Sequence, residues 1–322
     1  VGARAHEVRE RLVPGPLATF IVDRNINYTN VCVSGCRFCA FHCAPGSPEA
    51  YVLSREVIRQ KIQETIDLGG TGIMMQGGLH PGLDISWFED LFLAVKEWFP
   101  SITIHSLSAP EIVHITKVSG LTTAETLRRL KAAGLDSLPG GGAEILVDSV
   151  RRQVAPHKAS TEEWLAVMRE AHKQGIMGTA TMMFGSLETL EDRVEHMRVI
   201  RELQDETGGF RAFIPWSFQS GRTALEESTD AATGVDYLVT LAVSRLYLDN
   251  VPHIQASWVT QGLRVGQVAL RFGADDLGST MIEENVVAAT GLTVRANRDD
   301  LVHAIRQAGF TPAQRRSDYS LV

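Results

Sequence analysis

The chain lacks the features that mark membrane, secreted and nucleic-acid-binding proteins. No stretch approaches the roughly 20 consecutive apolar residues of a membrane-spanning helix, and the N-terminus has no apolar core of a secretory signal. No run of Lys and Arg forms the basic stripe that binding to a phosphate backbone requires, and the formal net charge is −7. We therefore expect a cytoplasmic protein that binds neither nucleic acid nor membranes.

The chain also lacks any segment that would divide it. No Pro/Ser-rich linker, low-complexity tract or short repeat interrupts the 322 residues. With 44% hydrophobic and 21% charged residues, the composition is that of a globular protein with a large core, which excludes a disordered chain. We expect one continuous domain over residues 1–322.

Cysteine is scarce, and its distribution is informative. The four cysteines, Cys32, Cys36, Cys39 and Cys43, all lie within twelve consecutive positions. A disulfide framework would spread its cysteines along the chain, and core thiols would fall anywhere among buried positions. The clustering therefore indicates metal ligation.

The spacing of these cysteines favours an iron–sulfur cluster over zinc. A structural zinc site usually needs two C-x2-C pairs, and only Cys36 and Cys39 form one. The pattern C-x3-C-x2-C, from Cys32 to Cys39, lets three thiolates hold a 4Fe-4S cluster and leaves its fourth iron without a protein ligand. If Cys43 or His42 took that fourth place, the cluster would only carry electrons. We expect Cys32, Cys36 and Cys39 to be the metal ligands, on a loop spanning 30–43.

The rest of the chain alternates between strand-like and helical segments. Helical periodicity covers 54–68 and 188–207, and Thr122-x-x-Glu125 and Ser160-x-x-Glu163 have the form of capping boxes. Eight strand–helix repeats predict an α/β fold, a single-domain (β/α)8 TIM-type barrel with its site at the carboxyl ends of the strands. The strands and helices of residues 253–322 are expected to complete the barrel. The predicted strands are 22–28, 71–76, 101–107, 135–138, 177–183, 210–215, 253–257 and 274–279.

Glycine-rich turns and paired polar and aromatic residues follow several of these strands. The turn 76–81 follows the second strand, and the turn 139–144 follows the fourth without the Lys-Ser/Thr of a nucleotide-binding P-loop. Polar groups beside aromatic rings suit a pocket for a sugar and an aromatic ring, although each aromatic residue is equally compatible with barrel core. The candidates for this substrate pocket are Gln76, Thr181, Trp216, Gln219, Gln255 and Trp258.

The cysteine run, with Phe38 directly before Cys39, resembles the signature of the radical S-adenosylmethionine (SAM) superfamily. This resemblance implies a 4Fe-4S cluster and SAM as cofactors, with the open iron binding the methionine part of SAM. Electron transfer from the cluster then generates a 5′-deoxyadenosyl radical that abstracts a substrate hydrogen. We expect cofactor contacts from Phe38, Gln76, Gly77, Gly78, Ser106 and Glu144, although Glu144 equally suits the N-terminus of a helix.

The segments 25–32, 76–81, 139–144 and 204–210 resemble the radical SAM enzymes of the futalosine route to menaquinone. Trp216 and the run 254–262 are more similar to the branch that cyclises dehypoxanthine futalosine than to the aminofutalosine synthase branch, which remains an alternative. In the cyclising branch, a hydrogen leaves C4′ of the ribose and the carbon radical attacks the benzoate-bearing ring. The resemblance also implies a small electron donor such as flavodoxin or ferredoxin.

Restoring the aromatic ring requires a proton acceptor, for which His80, Glu144 and Asp276 are the candidates, in that order. Ser186 departs from the family pattern, which leads us to expect His at that position. If that His accepted a proton, another base must do so here. The alternative from a different class is a 4Fe-4S electron carrier or redox-sensing module.

Overall fold

The computed structural model describes residues 1–227, 229 and 231–322. The strands are β1 (Leu17–Ile21), β2 (Asp23–Ile26), β3 (Gly72–Met75), β4 (Thr103–Ser106), β5 (Ser137–Leu138), β6 (Met177–Phe184), β7 (Phe210–Ser217), β8 (His253–Ile254), β9 (Asp276–Ser279) and β10 (Thr311–Gln314). The helices are α1 (Gly2–Leu12), α2 (Arg55–Asp67), α3 (Ile85–Trp98), α4 (Ala109–Ser119), α5 (Thr123–Ala133), α6 (Asp148–Val154), α7 (Thr161–Lys173), α8 (Leu190–Thr207), α9 (Gly234–Tyr247), α10 (Trp258–Gln261), α11 (Leu263–Ala269) and α12 (Arg298–Gln307), with a 3-10 turn at Ala288–Thr290.

Local capping chemistry explains where the predicted helices begin. The Ser160 capping box at the start of α7 is confirmed, and Thr122 accepts a hydrogen bond from the Glu125 N–H at the start of α5. Helix α8 begins after Thr189 and ends at Gly208, whose φ of 62° only glycine adopts without strain. The predicted starts of these helices follow from residues that hydrogen-bond to their own first turn.

The strands are parallel and form an almost continuous ring. Strands β2 to β8 pair in chain order, while β9 and β10 flank β1. A bridge between Gln255 and Asp276 connects the end of β8 to β9, and the Thr280 N–H donates to the Ile21 carbonyl at 3.0 Å. Because β1 and β2 are separated only by Val22, one bent strand joins both ends of the ring. The predicted α/β barrel is confirmed.

The barrel differs from the prediction in detail. The first strand begins at Leu17, before the predicted start, and β5 and β8 have only two residues each. The sequence analysis missed β10, which pairs with the outer edge of β1. Its residues Thr311–Gln314 include a proline and are only partly buried, so they show no alternation of apolar and polar residues.

The C-terminal residues that follow β10 cover the amino ends of the strands. The Arg315 N–H donates to the Phe20 carbonyl, and the chain then turns beneath the barrel. The Tyr319 ring is stacked on His253 at the start of β8, with ring centroids 3.9 Å apart, and the Arg315 guanidinium lies 3.9 Å from the Tyr319 ring centroid. Residues 315–319 therefore form a floor, called here the barrel floor.

Within the described residues, none of the helices combines the length and apolar character needed to span a bilayer.

Candidate active site inside the barrel

The cysteine loop follows β2 at the carboxyl end of the barrel, as predicted. Cys36 is buried and Cys32 and Cys39 are half-buried. The Cys32 N–H donates to the Cys43 carbonyl at 3.0 Å, which closes the loop through the backbone. Ser34 lies between the first two cysteines, with its hydroxyl 3.1 Å from the Cys36 sulfur. The loop therefore brings three thiols to one side of the barrel mouth.

A positive side chain lies beside these thiols. Burial raises the pKa of the Cys32 and Cys36 thiols, and the Lys158 ammonium opposes that rise. At Cys39 burial also favours the thiol, but hydrogen bonding with His42 and nearby backbone N–H groups outweighs burial and lowers the pKa. Thiolates are the metal-binding form of cysteine. The Lys158 charge and the hydrogen bonds within the loop thus both favour the thiolate and so favour ligation.

The glycine pair after β3 packs directly against this loop. The Gly78 N–H donates to the Thr29 carbonyl at 3.0 Å, and the Gly77 N–H donates to the Glu111 carboxylate at the same distance. A Cβ on Gly77 would lie 2.6 Å from the Tyr28 ring. Neither glycine has a positive φ. Space, rather than a left-handed turn, is the reason for glycine at both positions.

A cavity of about 290 Å³ occupies the barrel interior. Side chains from every part of the strand ring line it, and the barrel floor closes its lower end. Its walls combine apolar and aromatic groups with a few polar ones, which is the usual character of a small-molecule site. Of the predicted substrate residues, those that line the cavity are Gln76, Thr181, Trp216, Gln255 and Trp258.

Two of these predicted residues also have structural roles. Trp258 is only 1% exposed, and its indole N–H donates to the Ser279 carbonyl at 3.0 Å. The Thr181 hydroxyl donates to the Gly140 carbonyl at 2.8 Å and so braces the glycine-rich turn after β5. Gln219 is not among the residues lining the cavity; its side-chain amide donates to the Ser217 carbonyl and hydroxyl and, at 3.4 Å, to the Thr260 carbonyl.

The sequence matches known families over most of its length. Residues 26–200 match the radical SAM superfamily, and residues 207–322 match the CofH/MqnC C-terminal region. The chain belongs to the radical SAM superfamily. It is therefore an enzyme, and the alternative of an electron carrier is wrong.

Two relatives and one solved structure illustrate this membership. Cyclic dehypoxanthine futalosine synthase of Halalkalibacterium halodurans is 49% identical over 322 residues, covering 100% of this chain and 87% of the relative. The 5-amino-6-(D-ribitylamino)uracil–L-tyrosine 4-hydroxyphenyl transferase of Methanopyrus kandleri is 40% identical, covering 99% and 88%. The crystal structure of methylornithine synthase superposes with a TM-score of 0.75 at 19% identity, covering 96% of this chain and 87% of that chain, which shows the fold alone.

The residues of the loop fit the superfamily's 4Fe-4S cluster and SAM. Among the described residues, no three His, Cys, Asp or Glu side chains converge on a single ion. A cluster is held differently, because its own iron and sulfide atoms separate the thiolates. Three thiols on one loop, a nearby Lys158 and glycines that leave backbone exposed suit such a group. Cys32, Cys36 and Cys39 would hold the cluster.

The predicted SAM contacts fall into two groups. Gln76, Gly77 and Gly78 lie at the turn beside the loop, and the Phe38 ring packs against the Lys158 ammonium at 5.1 Å. Ser106, in contrast, is fully buried and its hydroxyl donates to the Met75 carbonyl at 2.8 Å. Its hydroxyl is committed to β3, so the structure does not bring Ser106 to the radical SAM site.

Glu144 lies near the cysteine loop but outside the cavity lining. It has a φ of 42°, a conformation that a non-glycine residue rarely adopts. One carboxylate oxygen accepts from Lys158 at 2.9 Å, and the other has no hydrogen-bond partner among the described residues. This buried acceptor lies 3.8 Å from Arg151 Nη1 without a hydrogen bond, which agrees with a hydrogen bond to a ribose hydroxyl of SAM; that contact stays a prediction.

None of the three predicted bases lines the main cavity. His80 lies in a small separate pocket beside His114, where burial and that neighbour lower its pKa. Asp276 is fully buried, and both of its oxygens bond to the Arg315 guanidinium. The Thr19 hydroxyl and the Gly278 N–H also donate to it. An aspartate with this many donors is an anchor for the barrel floor, so the structure does not support Asp276 as a base.

The cavity also contains polar residues that the sequence analysis did not select. Asp23 and Asn25 point inward from β2, His105 from β4, and Arg315 and Tyr319 from the barrel floor. Residues 21, 23 and 25 all line the cavity, so their period of two was a usable signal for the inward face. No sequence pattern marks Arg315 or Tyr319, because they reach the cavity from beyond the last strand.

Ser186 does not enter the cavity lining. Its backbone N–H and hydroxyl both donate to the Glu188 carboxylate, at 2.8 and 2.9 Å. Glu188 in turn accepts from Arg193 at 3.0 Å. Ser186, where the resemblance predicts His, therefore lies in a turn that Glu188 holds through hydrogen bonds.

Proposed function

We propose that this radical SAM enzyme converts dehypoxanthine futalosine into its cyclic product, by removal of the C4′ hydrogen of the ribose and attack on the benzoate ring. The observation that carries the proposal is 49% identity, over the whole chain, to a cyclic dehypoxanthine futalosine synthase. When bound, SAM and the cluster supply the 5′-deoxyadenosyl radical. The chain itself must bind and orient the substrate and exclude water.

The cavity walls support a substrate with an aromatic ring and a polar part. Trp216 and Ile214 of β7 and Met74 of β3 supply apolar surface. Asn25 Oδ1 and the Tyr319 hydroxyl are buried without a hydrogen-bond partner among the described residues, and both residues line the cavity. Unpartnered buried polar atoms are costly, so a substrate that bonds to them gains affinity and orientation.

An enclosed cavity also meets the demands of radical chemistry. The radical must lie close to its target hydrogen, and water and other hydrogen donors must be kept away. The strand ring surrounds the cavity, and the barrel floor closes its lower end. Substrate entry is therefore expected from the carboxyl ends of the strands, where the cysteine loop and the glycine-rich turns lie.

The cluster needs an electron from outside the protein. Val33 and Arg37 of the cysteine loop are exposed, so the loop approaches the molecular surface. A small protein donor such as flavodoxin or ferredoxin, acting in the cytoplasm, is part of this proposal.

The test is anaerobic incubation of the iron-reconstituted protein with SAM, dithionite and dehypoxanthine futalosine, followed by mass spectrometry. We expect free 5′-deoxyadenosine that depends on substrate, and a product lighter by two hydrogen atoms. Cys36→Ala is the matched control and should form neither. Adenosylated product from an enolpyruvyl benzoate, or hydroxyphenyl transfer from L-tyrosine to the ribitylaminouracil, would reassign the substrate and contradict the proposal.

A further inference from the structure

Asp23 places a carboxylate on the cavity wall. It is the first residue of β2, three residues before that strand ends at Ile26. At about 3.3 Å per residue this places it roughly 10 Å from the carboxyl end of β2, from which the chain continues to the cysteine loop. It therefore faces the part of the cavity beyond the cofactor contacts, next to the barrel floor.

The two carboxylate oxygens of Asp23 differ in their contacts. The Ser279 hydroxyl donates to Oδ1. Among the described residues, Oδ2 has no hydrogen-bond partner. The carboxylate is thus oriented by β9 while one oxygen remains available to a molecule in the cavity.

The other candidates for a base at this cavity are engaged or too weak. Glu284 lines the cavity, but its carboxylate accepts from the backbone N–H groups of 286–288. His105 hydrogen-bonds to Ser137, and burial lowers its pKa to about 3. A histidine with so low a pKa is a poor proton acceptor near neutral pH.

The surroundings of Asp23 make it more basic than an ordinary aspartate. Burial raises its pKa to about 6, while the Ser279 hydrogen bond and the positive charge of Arg315 act in the opposite direction. The negative charge of Asp276 adds a smaller rise. A base of this strength is ionised at neutral pH and still accepts a proton effectively.

We propose that Asp23 is the proton acceptor that restores aromaticity after ring closure, an inference that rests on the proposed function. After attack of the C4′ radical, the ring carbon bears a C–H bond and the ring holds an unpaired electron. That C–H bond breaks, its proton passes to Asp23 Oδ2, and the unpaired electron passes to a one-electron acceptor of the iron–sulfur class. The electron pair of the broken bond returns to the ring.

The variant Asp23→Asn tests the proposal, with Asp23→Glu as the conservative control. Asn keeps the shape and can still accept from Ser279, but it cannot take a proton. With substrate deuterated at C4′, we expect Asp23→Asn to transfer deuterium into 5′-deoxyadenosine while cyclised product falls about 100-fold. Asp23→Glu should recover part of the product.

Binding and protonation are measured separately. We expect substrate affinity of Asp23→Asn, by equilibrium dialysis without reductant, to stay within twofold of wild type. In the protein without cofactors, the infrared carbonyl band of a protonated carboxyl group should titrate near pH 6 and vanish in Asp23→Asn.

The outcomes separate this inference from the proposed function. If wild type forms no cyclised product, the proposed function fails. If wild type and Asp23→Asn both form it at equal rates, only the role of Asp23 fails. A loss explained by weaker substrate binding, or the absence of a carboxyl band that titrates between pH 5 and 7, would also overturn that role.

Discussion

A Cβ on Gly78 would lie 2.1 Å from the carbonyl oxygen of Val31, so the turn after β3 and the cysteine loop meet backbone to backbone. No side chain fits between them. The position of the first cysteine therefore depends on a glycine more than 40 residues away in the chain.

Gly78→Ala should displace the cysteine loop. A backbone oxygen cannot move aside as a flexible side chain can, so we expect a large loss of iron and sulfide after reconstitution. Gly234→Ala is the matched control, because a Cβ there meets its nearest neighbour at an ordinary 3.6 Å. Full cluster content in Gly78→Ala would contradict the packing argument.

Single Cys→Ser variants should distinguish the three cysteines predicted to bind the cluster from Cys43. Replacing Cys32, Cys36 or Cys39 removes a ligand, so we expect loss of the cluster's visible absorbance and of SAM cleavage. Cys43→Ser should keep both, since Cys43 contributes a backbone hydrogen bond to the loop. Loss of the cluster in Cys43→Ser would instead make Cys43 a ligand.

Asp276→Asn should lower the free energy of unfolding. It leaves the buried Arg315 guanidinium without its counter-charge, which costs about 3–5 kcal/mol of unfolding free energy in comparable buried pairs. The measurement is urea denaturation. Glu202→Gln, which removes an exposed partner of Arg198, should change little. Unchanged stability with lost activity in Asp276→Asn would restore Asp276 as a candidate base.

Trp216→Ala should weaken substrate binding more than Gln219→Ala. Trp216 lines the cavity, whereas Gln219 is not among the lining residues. Removing a large side chain that contacts the substrate costs about 1.5–3 kcal/mol, so we expect KM to rise about tenfold or more. Equal effects of the two variants on KM would contradict the placement of the substrate against Trp216.

The stability difference between Asp23→Asn and wild type should depend on pH. Because the pKa of Asp23 is raised to about 6 in the fold, the native state binds more protons than the unfolded chain between roughly pH 4 and 6. Wild type therefore loses stability as pH rises through this window, and Asn does not. We expect Asp23→Asn to gain stability relative to wild type from pH 4 to 8, measured by chemical denaturation. A constant difference would contradict the raised pKa.

The features that the sequence alone predicted are local in the chain. The cysteine spacing, the capping residues Thr122 and Ser160, and the alternation of strands and helices each depend on residues a few positions apart. Because strand–helix repeats of this kind close into a barrel, the carboxyl ends of the strands, and with them Trp216 and Gln255, were also predictable.

The proton acceptor was not predictable in this way. His80 follows β3 and Asp276 begins β9, but His80 lies in a pocket of its own and Asp276 is neutralised by Arg315. That ion pair joins residues 39 positions apart.

The sequence by itself thus determined the barrel and the family and predicted the cluster ligands, because these follow from short-range patterns. Only the tertiary structure decided which carboxylates face the cavity and which are already paired. Burial and charge pairing depend on distant segments, above all on the C-terminal residues that form the barrel floor and place Arg315 between Asp276 and the cavity.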